Sequence, residues 1–261
     1  MKRGSSTLLL YFGYHLLVEF RRKLRLHPLL RKSKDLFLGL KGINNNSFRR
    51  IVEILNHLEG SMVVDVGANI GQFGLDLRRH GFDGQIFSFE PVSENFEILV
   101  NTARNRQPWN VYRYGLGSKL SKVNINVSGN DGLSSSFLDM ERIHLENFPK
   151  SKTVKVEVAQ ISTLDFQIKQ LNVNPRLVLL KIDVQGFEFE VLKGAKSALR
   201  FIPYCFLEIS LIPMYKNEAS LLDLLSYLSE CDHEVIDIFR GTIASNGDLL
   251  QVDVLTKNRN L

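Results

Sequence analysis

Met62-Val63-Val64 runs straight into Asp65-Val66-Gly67-Ala68-Asn69-Ile70-Gly71-Gln72, and no other stretch constrains the fold of this chain as tightly. An apolar, β-branched run closed by an acid and two glycines four apart predicts a strand, a tight turn and a helix N-terminus. Gly67 and Gly71 let the backbone turn sharply and leave room for a ligand to approach. The N–H groups exposed at a helix start favour anionic groups. Glu90 closes the next apolar run, Gln85-Ile86-Phe87-Ser88-Phe89, nineteen residues after Gly71. An α/β nucleotide site places a carboxylate against ribose hydroxyls at that point. The pattern therefore predicts an adenosine-type cofactor.

Departures from the dinucleotide fingerprint say which one. That fingerprint is G-x-G-x-x-G, its middle glycine leaving the backbone bare for a pyrophosphate. Here Asn69 holds the middle position and Gln72 the last. A side chain thus stands where the diphosphate would lie, and the Asp65 carboxylate at the strand end would repel phosphate. A cationic ligand end suits such a site. The expected cofactor is S-adenosylmethionine (SAM), with an ammonium and a sulfonium, rather than NAD.

Downstream, apolar runs and helical patterns alternate as they do in an α/β protein with a parallel sheet. Helices are predicted over 48–57, 70–80, 93–104, 164–171, 187–199 and 221–229. Strands are predicted over 85–90, 111–117, 121–128, 153–159, 177–183 and 204–209, with 234–239 and 249–255 as a closing hairpin pair. Leu116, at the end of the 111–117 strand, is placed over the adenine. Residues 129–152 read as an irregular segment that could serve as a lid, substrate loop or solvated turn.

The chain has 261 residues, 44% of them hydrophobic, enough for one full α/β domain. Its charge is divided unevenly. Residues 1–50 carry twelve Lys and Arg against two Asp and Glu, a net +10, and residues 51–261 carry 21 against 26, a net −5. The organisation expected is a basic, partly apolar helical extension over 1–50 and a catalytic domain over 51–261, with no basic nucleic-acid groove in the latter. The apolar run Leu8–Val18 is too short to span a bilayer, and Glu19-Phe20-Arg21-Arg22 does not resemble a signal cleavage site. The following arginines and lysines leave two uses for residues 1–35: packing on the domain or a partner, or peripheral contact with an anionic membrane surface. Asn44-Asn45-Asn46-Ser47 reads as a linker ending in an N-cap. A cytoplasmic protein is expected, with Cys205 and Cys231 as reduced thiols.

A second constellation is Lys181-Ile182-Asp183-Val184-Gln185-Gly186-Phe187-Glu188. Asp183 closes an apolar strand, so it belongs at the carboxyl edge of the sheet, where open α/β folds bind ligands. Strand alternation puts Lys181 on the same side. Glu208, near the end of the next strand, can face the same crevice. A carboxylate there can take the proton of a hydroxyl or orient the substrate. Lys181 and Glu208 also suit an ion pair at the sheet edge.

Together these blocks resemble the FkbM family of SAM-dependent methyltransferases. The resemblance rests on Val64–Gly71, Phe89-Glu90-Pro91, Leu180–Glu188 and Val191–Ala195, and spans residues 60 to 240. It implies a Rossmann-like class I methyltransferase fold, with a mostly parallel seven-stranded sheet and helices on both faces. It also implies methyl transfer to an oxygen of a sugar, glycan or related metabolite. Carried over, Asp65, Gly67 and Gly71, with Ala68 and Asn69 in the same turn, frame the methionine end of SAM. Glu90 holds its ribose, next to Pro91. Asp183 lies beside the transferred methyl; Lys181 and Glu208 are candidate catalytic residues from their strand positions alone. Gln185 departs from the acid common in the family, and no catalytic role falls to it.

Hydroxylated small molecules or glycans are the expected acceptors, with no nucleic acid. No metal site is expected, since the six histidines are scattered and no C-x-x-C occurs. An amino-directed nucleic-acid methyltransferase would want an Asn/Asp-Pro-Pro-aromatic corner where this chain has Asp183-Val184-Gln185-Gly186. Two rivals stay open: a ribose O-methyltransferase acting on RNA, and a non-catalytic SAM-binding scaffold.

Overall fold

A computed structural model of the protein describes residues 45–261; the segments Leu8–Val18, Arg21–Lys34 and Asn44 of the predicted extension lie outside the described residues. The chain begins there with helix α1, Asn45–His57, so Asn45–Ser47 open the helix instead of linking to it. Phe48, Ile51, Val52, Ile54 and Leu55 recur at helical spacing and are all buried. Phe48 meets the rings of Phe73 and His80, each at 5.5 Å. The expected boundary at residue 50 therefore falls inside a helix whose apolar stripe is packed on the domain.

β1 (Met62–Val66), α2 (Gln72–Arg79), β2 (Gln85–Phe89), α3 (Ser93–Ala103) and β3 (Trp109–Tyr112) follow. β4 (Gly115–Leu116), β5 (Ser121–Ser128), α4 (Arg142–Asn147) and β6 (Thr153–Ser162) come next. The chain ends with α5 (Leu164–Gln170), β7 (Val178–Ile182), α6 (Glu188–Lys193), α7 (Lys196–Leu199), β8 (Tyr204–Ser210), α8 (Leu221–Glu230), β9 (His233–Arg240) and β10 (Gln251–Asn258). The main sheet has seven strands in the order β3-β2-β1-β7-β8-β10-β9. The first five are parallel neighbours, and β10 runs antiparallel to both β8 and β9. This is the mostly parallel seven-stranded α/β sheet that the family resemblance implied.

Strand alternation divides the core. Val64, Val66, Leu180, Ile182, Leu207, Ile209, Val252 and Val254 face one side and pack with Leu164, Val191, Leu192, Leu199, Leu224 and Leu228 of α5 to α8. On the other side Phe206 of β8 stacks on Phe73 of α2 at 6.0 Å. Asp65, Ser88 and Lys181 share the parity of that second face, and the register sets Asp65 opposite both Ser88 and Lys181.

Three expectations need correction. The strand predicted over 111–117 is two strands: β3 pairs with β2, and after Arg113-Tyr114 the chain leaves the sheet so that β4 pairs with β6 in a second, three-stranded sheet, β4-β6-β5. The helix predicted over 187–199 breaks between α6 and α7. A Cβ on Gly194 would stand 1.9 Å from the carbonyl oxygen of Gly117, and Asp165 caps the restart by accepting from Ser197 and Ala198 N–H at 2.9 and 2.8 Å. The segment 129–152, read as irregular, contains α4 and a 3₁₀ turn at Pro149–Ser151. It is fastened to the loop after β8 by Glu141 N–H to the Met214 carbonyl and Lys216 N–H to the Asp139 carbonyl, both 2.8 Å.

Candidate active site

The carboxyl ends of β1, β2, β7 and β8 form one edge of the main sheet, and every acid singled out in the sequence arrives there. Three backbone bonds close the strand ends on each other. Gly67 and Ala68 N–H donate to the Phe89 carbonyl at 3.1 and 3.0 Å, and Asp183 N–H donates to the Val66 carbonyl at 3.1 Å. Gly67, at φ +76°, has no space for a side chain, because its Cβ would stand 1.9 Å from the Asp183 carbonyl oxygen. A Cβ on Gly71 would meet Leu99, Thr102 and Trp109. Packing thus demands glycine at both positions, against backbone at Gly67 and against side chains at Gly71.

The start of α2 is occupied by the protein's own amides. Asn69 sits at φ +50°, and its side-chain oxygen accepts from Ile70 N–H at 2.8 Å and from the Gln72 amide at 3.0 Å. The Gln72 side-chain oxygen also faces Ile70 N–H, at 3.2 Å. An N–H that would bind phosphate at this helix start is therefore taken by the protein's own amides. Asn69 N–H itself donates to Glu90 Oε2 at 2.8 Å, and Val92 N–H donates to Oε1 at 2.8 Å. Burial pushes the Glu90 carboxyl up to about 7, against the pull of these two N–H groups and of Lys181. Each oxygen retains a lone pair for a hydroxyl.

Asp65 is fully buried. Trp109 Nε1 donates to Ser88 Oγ at 3.0 Å, Ser88 donates to Asp65 Oδ2 at 3.1 Å, and Lys181 Nζ lies 3.0 Å from Asp65 Oδ1. Lys181 also donates to the Gly67 and Val66 carbonyls at 2.9 and 3.3 Å, lies 3.7 Å from Asp183 Oδ2, and sits over the Phe73 ring. Burial works against its charge, yet the Asp65 and Asp183 carboxylates hold the ammonium above its ordinary range. Asp65 thus meets Lys181 and has no surface of its own in the crevice. Leu116, placed over the adenine by the sequence, is 1% exposed and belongs to the core, so its side chain does not cover an open site. Ala68 is buried in the turn after β1, and Pro91 is partly exposed after Glu90.

Asp183 is the carboxylate that opens outward, its side chain 36% exposed. Its Oδ1 accepts from the Gln185 side-chain amide at 2.8 Å, and the same NH₂ donates to Glu208 Oε2 at 2.8 Å. Gln251 adds a second donor to Glu208 Oε2 at 2.9 Å. Burial and the neighbouring Asp183 and Asp253 carboxylates drive the Glu208 carboxyl well above its ordinary range. Asp253, opposite Glu208 in the antiparallel register, is pushed up to about 7 by burial and by Asp183. Glu188 accepts from Val184 and Gly186 N–H, both at 3.1 Å, and burial carries it to about 7. Sequence reasoning missed Gln185, Gln251 and Asp253. The signal for the last two was their place on a strand antiparallel to β8; for Gln185 it was an amide in a loop dense with acids.

The edge therefore collects Asp65, Glu90, Asp183, Glu188, Glu208 and Asp253 around the single ammonium of Lys181. That donor set fits SAM, whose ammonium and sulfonium meet net negative charge, and it disfavours phosphate. Phe137 and Phe187, 4.9 Å apart, stand beside the turn, both partly exposed. A separate open cleft of about 400 Å³, lined by Tyr114, Lys122, Gln160, Ser162 and Phe166 among others, shares no residue with this edge. Among the described residues no cluster of His, Cys, Asp and Glu has the arrangement of a metal site, and no helix is long and apolar enough to cross a membrane.

The family model described as "Methyltransferase FkbM domain" matches residues 65–235. Hexuronic acid methyltransferase AglP of Haloferax volcanii is 29% identical over 153 residues, covering 58% of this chain and 56% of that protein. Methyltransferase 1 of Beauveria bassiana is 29% identical over 152 residues, 52% of this chain and 59% of that one. The chain thus spans little more than half the length of these curated relatives. Among solved structures, magnesium protoporphyrin IX methyltransferase from Synechocystis, with bound SAM, is 12% identical with a TM-score of 0.45, covering 98% of each chain.

Proposed function

The chain belongs to the FkbM methyltransferase family, whose cofactor is SAM, and from that premise we propose that it methylates a hydroxyl oxygen of a sugar or glycan. The observation that carries the proposal is Asp183. It is the carboxylate of the cluster that opens to the crevice, with Oδ1 tied to Gln185 and Oδ2 turned toward Lys181. When bound, SAM supplies a methyl activated by its sulfonium. Glu90 is the group to hold the ribose hydroxyls, and the turn Gly67–Gly71 with the charge of Asp65 behind it the methionine end. Asp183 accepts the proton of the acceptor hydroxyl, and Lys181, 3.7 Å from its Oδ2, helps fix its place. Holding the hydroxyl in line can supply up to about 7–11 kcal/mol in well-oriented cases, and proton removal a further ~10²–10⁴-fold.

The Haloferax relative's name supports a uronic-acid-bearing acceptor. RNA, a polyanion, is the weaker reading, because residues 51–261 are net negative. The test is transfer of labelled methyl from SAM to a panel of hydroxylated acceptors, led by uronic-acid glycans. Asp183→Asn should lower turnover by ~10²–10⁴-fold and leave SAM affinity unchanged. Methylation confined to amines, or full activity in Asp183→Asn, would contradict the proposal.

A further inference from the structure

Gln185 holds a left-handed backbone conformation, φ +56°, which for a residue with a Cβ costs roughly 1–2 kcal/mol. Several contacts hold the turn in place. Ser136 Oγ donates to the Gln185 carbonyl at 2.6 Å, and Gly186 packs so tightly on Tyr215 that an added Cβ would lie 2.9 Å from its side chain. The side chain is bound at both ends. Tyr215 Oη donates to Gln185 Oε1 at 2.8 Å, which orients the amide, and the NH₂ then reaches Asp183 Oδ1 and Glu208 Oε2, both at 2.8 Å.

Most of the elements packed here bring a charge or a titratable group; Ser134–Ser136, bonded to Tyr215 and Gln185, does not. β7 supplies Lys181 and Asp183, α6 Glu188, β8 Glu208, β10 Asp253, the loop after β8 Tyr215, and β1 supplies Asp65 through Lys181. A primary amide gives one hydrogen to each of two carboxyls and adds no charge. A carboxylate at this position would face two others.

We propose that Gln185 is a positioning residue: its amide fastens Asp183 to Glu208 and sets the charge this pair carries, making the two carboxyls one proton acceptor for the hydroxyl methylation proposed above, on which the inference rests. Two carboxyls so close favour a pair that shares a single proton, since like charges do not both ionise freely. The bridging NH₂, by donating to both, favours their ionised forms and so sets how firmly that proton is held. Glu208, buried and joined also to Gln251, keeps that proton, and Asp183 stays open to the acceptor. Gln185 touches neither substrate nor cofactor in this account; it acts through Asp183.

The experiment is a ¹³C NMR titration of the side-chain carboxyls in wild type, Gln185→Glu and Gln185→Met, run without acceptor. Asp183→Asn and Glu208→Gln assign the pair, and SAM calorimetry on each variant reports that the crevice is formed. In Gln185→Glu the upper midpoint of the pair should rise by about one pH unit or more. In Gln185→Met, which removes the donors and adds no charge, it should rise by less. The acid limb of the pH–rate profile should move with it, whereas a merely structural residue would lower the rate equally at every pH. Midpoints that stay put in both variants while SAM still binds would overturn the inference. A pair that titrates as expected in a protein that methylates no hydroxyl would instead sink the methyl-transfer reading and leave Gln185's hold on the pair standing.

Discussion

At the scale of single residues, the site depends on glycines for a reason that motif reading does not supply. Gly67 is needed because β1 and β7 close on each other, and the two positions Gly67 and Gly81 separate that packing demand from backbone conformation. Both have positive φ, +76° and +92°, but a Cβ on Gly81 meets nothing within 4 Å. Gly81→Ala should cost about 1–2 kcal/mol in urea unfolding, the price of a left-handed alanine. Gly67→Ala adds a collision with the Asp183 carbonyl and should cost several times more or prevent folding. Equal losses would show that Gly67 serves conformation alone. The same closure explains the burial of Asp65: the strand ends meet over it, and its charge reaches the crevice only through Lys181.

At the scale of elements, the main-sheet strands β1, β2, β7 and β8 were legible because each is a largely apolar run that carries or is followed by an acid. β9 and β10 were legible as a hairpin pair. The acids Glu90, Asp183 and Glu208 were placed at the correct edge because parallel strands all end on one side. What was hidden depends on contacts distant in sequence. Nothing in Val111–Gly117 says that Gly115-Leu116 will leave β2 for Ser162 of β6. The break at Gly194 needs Gly117 against it and Asp165 to cap the restart. α4 buries only His144, so its six residues carry no amphipathic period. Gln185 was dismissed for lacking a charge, yet that neutrality lets it donate to two carboxyls at once.

At the scale of the whole molecule, the crowded acids make stability depend on pH with a defined sign. Glu90 and Glu188 titrate at about 7 in the folded protein against an ordinary 4.5, and Asp253 at about 7 against 3.8, in each case chiefly through burial. The folded state thus keeps protons that the unfolded chain has lost, so stability falls as pH rises from about 4.5 to 7 and levels off above. His144, which burial holds down to about 4, and His233, also lowered by burial, oppose this below pH 6.5, and the carboxyls outnumber them. Urea unfolding should show the protein less stable at pH 8 than at pH 5.5. Glu188→Gln should recover up to about 3 kcal/mol at pH 8 and about half that at pH 5.5; a flat profile in wild type would contradict this account. The same excess of acid selects the cofactor, and calorimetric titration with SAM, S-adenosylhomocysteine and NAD, in wild type and Glu90→Ala, tests that most directly. The account predicts heat from the two SAM-type ligands alone, with affinity at least about tenfold weaker in the variant. Binding of NAD, or SAM affinity unchanged in Glu90→Ala, would contradict it.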